Sequence, residues 1–181
     1  MFLYWLEVYL ESEFFQKIII FQILRIGTPI VPGLALNEAK RNYNIIDMQN
    51  WVEWWGLEFT FNSNFPIRTV LPLRINIIEP KTFHLFFKAA WSKNINIGDK
   101  NIVLKLLNDA GFDGKSLIEK AQENEIKERL RLNNVRAKEE GLCGVPTFQI
   151  NDKEFVWGQD KLNILADLLC GWNASEINAK L

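Results

Sequence analysis

The feature that most constrains the fold is a change of pattern at Gly141, where a long helical region gives way to a turn and two short strands. Residues 142–150 contain a Gly-Val-Pro-Thr turn and then alternate apolar with polar side chains, which is typical of a β-strand. Asn151-Asp152 predicts a tight hairpin turn, and residues 153–157 predict the partner strand. The chain therefore combines helices with a sheet.

Apolar residues recur at helical spacing over most of the chain before this change. The segment from Asn37 to Gly56 has a capping residue, a periodic run and a terminating glycine, so it predicts one helix. Residues 67–78 predict another, which Pro72 should bend or restart because proline removes a helical hydrogen bond. Further helices are predicted over residues 81–93, 99–110, 114–122, 125–140 and 161–169.

Composition and charge narrow the functional classes. The chain has 181 residues, of which 48% are hydrophobic and 24% charged, as in a globular domain with a real core. Its 21 Lys and Arg nearly balance 22 Asp and Glu, so no overall field draws it to nucleic acid or to anionic membranes. The basic residues between Lys127 and Lys138 alternate with glutamates, which favours a solvated helix face over a nucleic-acid site.

The N-terminal two dozen residues are apolar, but charged residues from Glu7 to Lys17 keep them well short of the ~20 residues of a membrane span. No basic region precedes them, as a secretory signal would require, so we expect folded or fragmentary sequence. Cys143 and Cys170 lie too far apart for a C-x-x-C pair, which favours a reducing, cytoplasmic location. With one histidine in the chain, no metal site is predicted.

Four short stretches, taken in order along the chain, carry a more specific signal. They are Ala39-Lys40-Arg41-Asn42-Tyr43 with Asp47-Met48-Gln49, Phe65-Pro66-Ile67-Arg68-Thr69-Val70-Leu71, Gly141-Leu142-Cys143-Gly144-Val145-Pro146-Thr147-Phe148, and Val156-Trp157-Gly158-Gln159-Asp160-Lys161-Leu162. Together they resemble the 2-hydroxychromene-2-carboxylate isomerase and kappa-class glutathione transferase family, a branch of the DsbA-like thioredoxin superfamily.

This resemblance implies an α/β, thioredoxin-like (DsbA-like) fold with a large helical insertion. It divides the chain into a divergent N-terminal segment (1–36), a helical insertion domain (37–140), a C-terminal thioredoxin half (141–172) and a tail (173–181). The implied protein is an enzyme, a glutathione-dependent isomerase or a related glutathione transferase or thiol–disulfide oxidoreductase-like protein. Its implied cofactor is glutathione and its substrate a small electrophilic or aromatic carboxylate molecule. No nucleic-acid or membrane partner is expected, and a homodimer is compatible with the resemblance.

The catalytic residue is the weakest part of the resemblance. In this family a Ser-Pro-Tyr turn follows the first strand of the sheet, and its serine hydroxyl bonds the glutathione sulfur. The chain has no Ser-Pro-Tyr, and Ser12 is the nearby serine that could take this role. The alternative is a glutathione-binding module that is catalytically impaired or truncated, lacking that turn and the first strand.

The other site residues can also be argued from their chemistry. A cis Val145-Pro146 bond would turn the Val145 amide and carbonyl outward, where an extended thiol tripeptide could pair with them; a simple turn is the alternative. Gln159 and Asp160 open a helix, where the Asp160 carboxylate could hold the ammonium of a γ-glutamyl group, cap the helix, or do both. Lys40 matches a lysine that reaches glutathione in kappa-class enzymes, although a lysine on an amphipathic helix is usually just solvated.

Overall fold

The structure is a computed structural model of the chain and describes residues 18–21, 37–142, 144, 146–150 and 154–172. Residues 37–134 form one compact unit, the helical unit, and residues 18–21 with the described residues of 135–172 form a second, the sheet unit. The elements in chain order are β1 (Ile18–Phe21), α1 (Glu38–Trp54), α2 (Val70–Ile78), α3 (Thr82–Trp91), α4 (Lys100–Asp109), α5 (Gly114–Lys120), α6 (Asn124–Glu139), β2 (Thr147–Ile150), β3 (Glu154–Trp157), a 3-10 helix (Gln159–Lys161) and α7 (Leu162–Leu169). Within these ranges, none of the helices combines the length and apolar character needed to cross a membrane.

Helix α1 begins and ends where the sequence predicts. The side chain of Asn37 accepts a hydrogen bond from the backbone amide of Lys40 at 2.9 Å, which caps the first turn. Gly56 follows the helix with φ +60°, a left-handed conformation that glycine adopts without strain and that stops the helix. None of the 17 residues of α1 is fully buried.

Pro72 lies in the first turn of α2, because the helix begins at Val70. The amide of a residue in the first turn has no acceptor within the helix, so a proline there costs no hydrogen bond. The bend or restart predicted at Pro72 is therefore wrong, and residues 67–69 precede the helix instead of belonging to it.

The core of the helical unit is built from helices α2 to α5. It includes Ile75 from α2, Phe86 from α3, Leu107 from α4 and Ile118 from α5, all buried. Predicted helices 81–93, 99–110, 114–122 and 125–140 are confirmed as α3 to α6, with ends shifted by at most two residues. Asp99 accepts hydrogen bonds from the amides two and three residues ahead and so fixes the start of α4.

The described strands form one antiparallel sheet in the order β1-β2-β3. Phe148 of β2 lies opposite Ile20 on one side and Val156 on the other. The alternation of apolar and polar residues predicted β2 correctly, yet all four of its residues are buried, including Thr147 and Gln149. Strand β1 precedes the helices in sequence and covers one edge of β2.

Candidate functional site

The candidate site is the turn that enters β2. We call it the proline turn and describe it by Gly144 and Pro146, because Cys143 and Val145, the other residues of this stretch, lie outside the described residues. Ser12 also lies outside them. The outward-facing amide and carbonyl of Val145, the cis bond to Pro146 and the role of Ser12 therefore stay predictions.

A backbone hydrogen bond connects the proline turn to the start of the following helix. The amide of Gly158 donates to the carbonyl oxygen of Pro146 at 3.0 Å. Thr147 and Trp157 are opposite one another in the sheet, so this bond continues the pairing of β2 and β3 beyond the last strand residue. The structure thus places Gly158, the residue that precedes Gln159 and Asp160, against Pro146.

The indole of Trp157 lies against the backbone of Gly144. A β-carbon built on Gly144 would stand 2.7 Å from Nε1 and 3.0 Å from Cε2 of the indole, too close for any side chain. The hydroxyl of Thr147 donates to the carbonyl oxygen of Gly144 at 2.6 Å, which fixes the turn from its other side. A side chain at position 144 would therefore displace the indole of Trp157.

Gly158 positions the carboxylate of Asp160. Its φ of +111° is a conformation that side chains rarely adopt, and Oδ1 of Asp160 occupies the space a β-carbon would need. The carboxylate accordingly folds back over the backbone of Gly158. Replacing Gly158 by a residue with a β-carbon would strain the backbone at this position and displace the Asp160 carboxylate.

The Asp160 carboxylate is paired with a neighbouring lysine. Its Oδ2 accepts a hydrogen bond of 2.8 Å from Nζ of Lys161, and this bond holds the pKa of the Asp160 carboxyl below its usual value. The Asp160 side chain remains 45% exposed, so an external ammonium group can reach it.

The capping alternative for Asp160 is wrong. The N-cap of the 3-10 helix is Gly158 and that of α7 is Lys161, and neither makes a side-chain capping bond. The Asp160 carboxylate is therefore the N-cap of neither helix.

Lys40 belongs to the helical unit and is described there. It lies exposed in the first turn of α1, beside a shallow surface depression of about 440 Å³ lined by Ala39, Lys40, Tyr43 and Asn44. Its predicted contact with glutathione stays a prediction.

Three residues of this site were missed from the sequence: Gly144, Trp157 and Lys161. The predicted two-residue turn would pair Thr147 with Val156, so the place of Trp157 opposite Thr147 came only from the observed register. Across the part of the chain that the structure describes, no group of three or more His, Cys, Asp and Glu side chains is placed to bind a metal ion.

Comparison with known proteins identifies what this arrangement is similar to. Residues 15–170 match the family model of the DSBA-like thioredoxin domain. The chain is 26% identical over 149 residues to 2-hydroxychromene-2-carboxylate isomerase from Pseudomonas putida. The matched region covers 76% of this chain and 70% of that protein.

Two solved structures show the same fold. One is a 2-hydroxychromene-2-carboxylate isomerase, with 22% identity and a TM-score of 0.64 over 74% of this chain and 68% of that one. The other is a candidate protein disulfide isomerase from Nitrosomonas europaea, with 18% identity and a TM-score of 0.54 over 82% and 79%. The predicted α/β fold of the DsbA-like thioredoxin type is confirmed.

Proposed function

We propose that this chain, which belongs to the DSBA-like thioredoxin domain family, is a glutathione-dependent isomerase of the 2-hydroxychromene-2-carboxylate isomerase type. The observation that carries the proposal is the hydrogen bond from Gly158 to Pro146, which places an exposed carboxylate, Asp160, beside the proline turn. A γ-glutamyl tripeptide offers an ammonium group for the carboxylate and an extended backbone for the turn. The likeness to the Pseudomonas enzyme supports isomerisation as the reaction.

Displacement of Lys161 makes room for the ligand. The Lys161–Asp160 pair joins two side chains that are 47% and 45% exposed, and exposed pairs of this kind contribute little to stability. A ligand ammonium can replace the lysine on the carboxylate because the charge balance of Asp160 is preserved. Before the ligand binds, the hydrogen bond from Lys161 keeps the Asp160 carboxylate ionised.

The reaction we propose uses the thiolate of glutathione as a nucleophile that is recovered at the end. In the substrate the hemiketal ring first opens, so that its C–O bond breaks, the hydroxyl proton passes to the phenol oxygen and a carbonyl forms. The sulfur then forms a bond to the electrophilic carbon conjugated with that carbonyl, while the electron pair of the C=C bond moves toward the carbonyl oxygen. The former double bond is now single and rotates. Return of the electron pair restores the C=C bond, breaks the C–S bond and releases the thiolate, so that no oxidant or reductant is consumed.

This chemistry requires reduced glutathione, which is why we place the protein in the cytoplasm. It also requires a group that favours the thiolate, and the family resemblance assigns that role to a serine hydroxyl. Ser12 is the candidate, and Ser12→Ala is the variant that tests it.

The function is tested by following the isomerisation of 2-hydroxychromene-2-carboxylate spectroscopically, with and without glutathione. We expect turnover only when glutathione is present. Turnover that is independent of glutathione would refute the cofactor, and glutathione binding without turnover of this substrate would favour the impaired binding module. A protein that neither binds glutathione nor turns over the substrate would remove the proposal.

A further inference from the structure

We infer that Trp157 recognises an aromatic ring in the substrate, by stacking the exposed part of its indole on that ring next to the glutathione sulfur. The inference rests on the proposed function, because it adds a subsite for the second ligand beside the proline turn. It assigns a specificity-determining role to a residue of β3.

The position of the indole is fixed on one side by the protein. Trp157 is the last residue of β3 and is paired with the buried Thr147, so its backbone cannot shift without breaking the sheet. The indole atoms Nε1, Cε2 and Cζ2 lie against Gly144, where a β-carbon would be 2.7 to 3.1 Å from them. Because the ring is already held in place, a ligand ring that stacks on it loses little side-chain entropy.

About half of Trp157 remains open to solvent. Trp157 is 52% exposed, although a tryptophan is among the most apolar side chains to leave in water. Exposure alone does not distinguish it, because Trp172 of the sheet unit is also 52% exposed. What distinguishes Trp157 is that its indole contacts Gly144 of the proline turn. The residue after it, Gly158, donates its amide hydrogen bond to Pro146 of the same turn. Trp157 therefore borders the backbone that is proposed to hold the thiol tripeptide.

Aromatic stacking is the chemistry that this surface offers. Offset or edge-to-face ring pairs contribute a few-fold in affinity beyond the area they bury. A substrate with an aromatic ring attached near the electrophilic carbon would place that ring beside the sulfur. An aliphatic electrophile would gain contact area but no ring pairing.

Two stable glutathione thioethers separate recognition of the ring from recognition of the tripeptide. S-benzylglutathione carries a ring on the sulfur and S-methylglutathione does not, while their peptide parts are identical. We expect titration calorimetry to give tighter binding of the benzyl compound to the wild-type protein. Trp157→Leu should weaken binding of S-benzylglutathione about three- to tenfold and change that of S-methylglutathione by less than about twofold.

A variant of the glycine under the ring gives a second, independent measurement. Gly144→Ala introduces a methyl group where the indole lies, so the ring must move and the preference for the benzyl compound should fall as in Trp157→Leu. In the double variant the methyl group has no indole to displace, so no further loss of preference is expected. Trp157→Phe keeps a ring on the strand and should retain part of the preference even where the leucine variant folds poorly.

The matched control is Trp172→Leu, which removes a tryptophan of equal exposure and should leave the benzyl preference unchanged. Equal weakening of both thioethers by Trp157→Leu would show that the ring contacts the tripeptide and would overturn the inference. A benzyl preference that persists in Trp157→Leu would overturn it as well, while glutathione binding and the proposed function remained intact. A wild-type protein that binds neither thioether nor glutathione itself would refute the proposed function and this inference together.

Discussion

The backbone amide of Gly158 donates a hydrogen bond of 3.0 Å to the carbonyl oxygen of Pro146. This bond continues the ladder between β2 and β3 past the pair formed by Thr147 and Trp157. It therefore fixes the start of the 3-10 helix against the proline turn, and a ligand that binds one of them must lie close to the other. Changes at Gly158 and Asp160 should consequently affect the same ligand.

Loss of the Asp160 carboxylate should weaken glutathione binding without much loss of stability. Loss of a hydrogen bond to a charged group weakens binding by about tenfold or more. Because the Asp160 side chain is 45% exposed and water weakens its interactions, we expect a loss near the lower end, about tenfold, for Asp160→Ala. The melting temperature should hardly change, because Asp160 makes no capping bond. Calorimetry and a thermal melt on the same variant check both parts. An unchanged affinity would remove Asp160 from the site.

Removal of Lys161 should shift the pH dependence of glutathione binding. The hydrogen bond from Lys161 lowers the pKa of the Asp160 carboxyl, so Lys161→Gln should raise that pKa toward its usual value. Binding that needs the ionised carboxylate should then be lost at a higher pH in the variant than in the wild type as the solution is acidified. Binding curves measured between neutral and acidic pH test this shift. A displacement toward lower pH would contradict the proposed role of Lys161, and Lys120→Gln, on α5 of the helical unit, is the control.

Gly158→Ala should reduce both stability and glutathione affinity. A residue with a β-carbon is strained at φ +111° and would also displace the Asp160 carboxylate, for a cost of about 1–3 kcal/mol. Gly111→Ala is the control, since Gly111 also has a positive φ, +84°, but open space around its β-carbon position. Both variants should melt at lower temperature, and only Gly158→Ala should bind glutathione more weakly. Equal affinities in the two folded variants would argue against the placement of Asp160 by Gly158.

Arg136→Met should destabilise the sheet unit. Arg136 donates to the side-chain oxygen of the buried Gln149 at 3.0 Å and to Glu140 at 2.7 Å. A buried amide oxygen that loses its donor costs about 1–3 kcal/mol. Arg131→Met is the comparison, because its pair with Glu128 is exposed and should contribute little to stability. Denaturant unfolding of the two variants measures the difference, and equal losses would show that Gln149 does not depend on Arg136.

Local chemistry determined most of the elements. A cap at Asn37, a second cap at Asp99 and a glycine after α1 are signals within a few residues, and they gave the helices nearly at their observed ends. The start of α2 was misjudged because apolar periodicity extends through residues 67–69, and periodicity alone does not show which residues adopt helical backbone angles. The sequence also contained the residue types of the site, including the proline of the turn and the carboxylate of Asp160.

Only the tertiary structure decided how those residues meet. The register of β2 and β3 sets Trp157 on Gly144 and the amide of Gly158 on the carbonyl of Pro146, and one residue of slippage would turn each side chain to the opposite face. The capping alternative for Asp160 was equally compatible with the sequence, because a carboxylate near a helix start can turn toward the helix amides or away from them. Its pairing with Lys161 and its contact with Gly158 depend on one backbone conformation with positive φ, which follows from the packing around the turn and not from the order of residues along the chain.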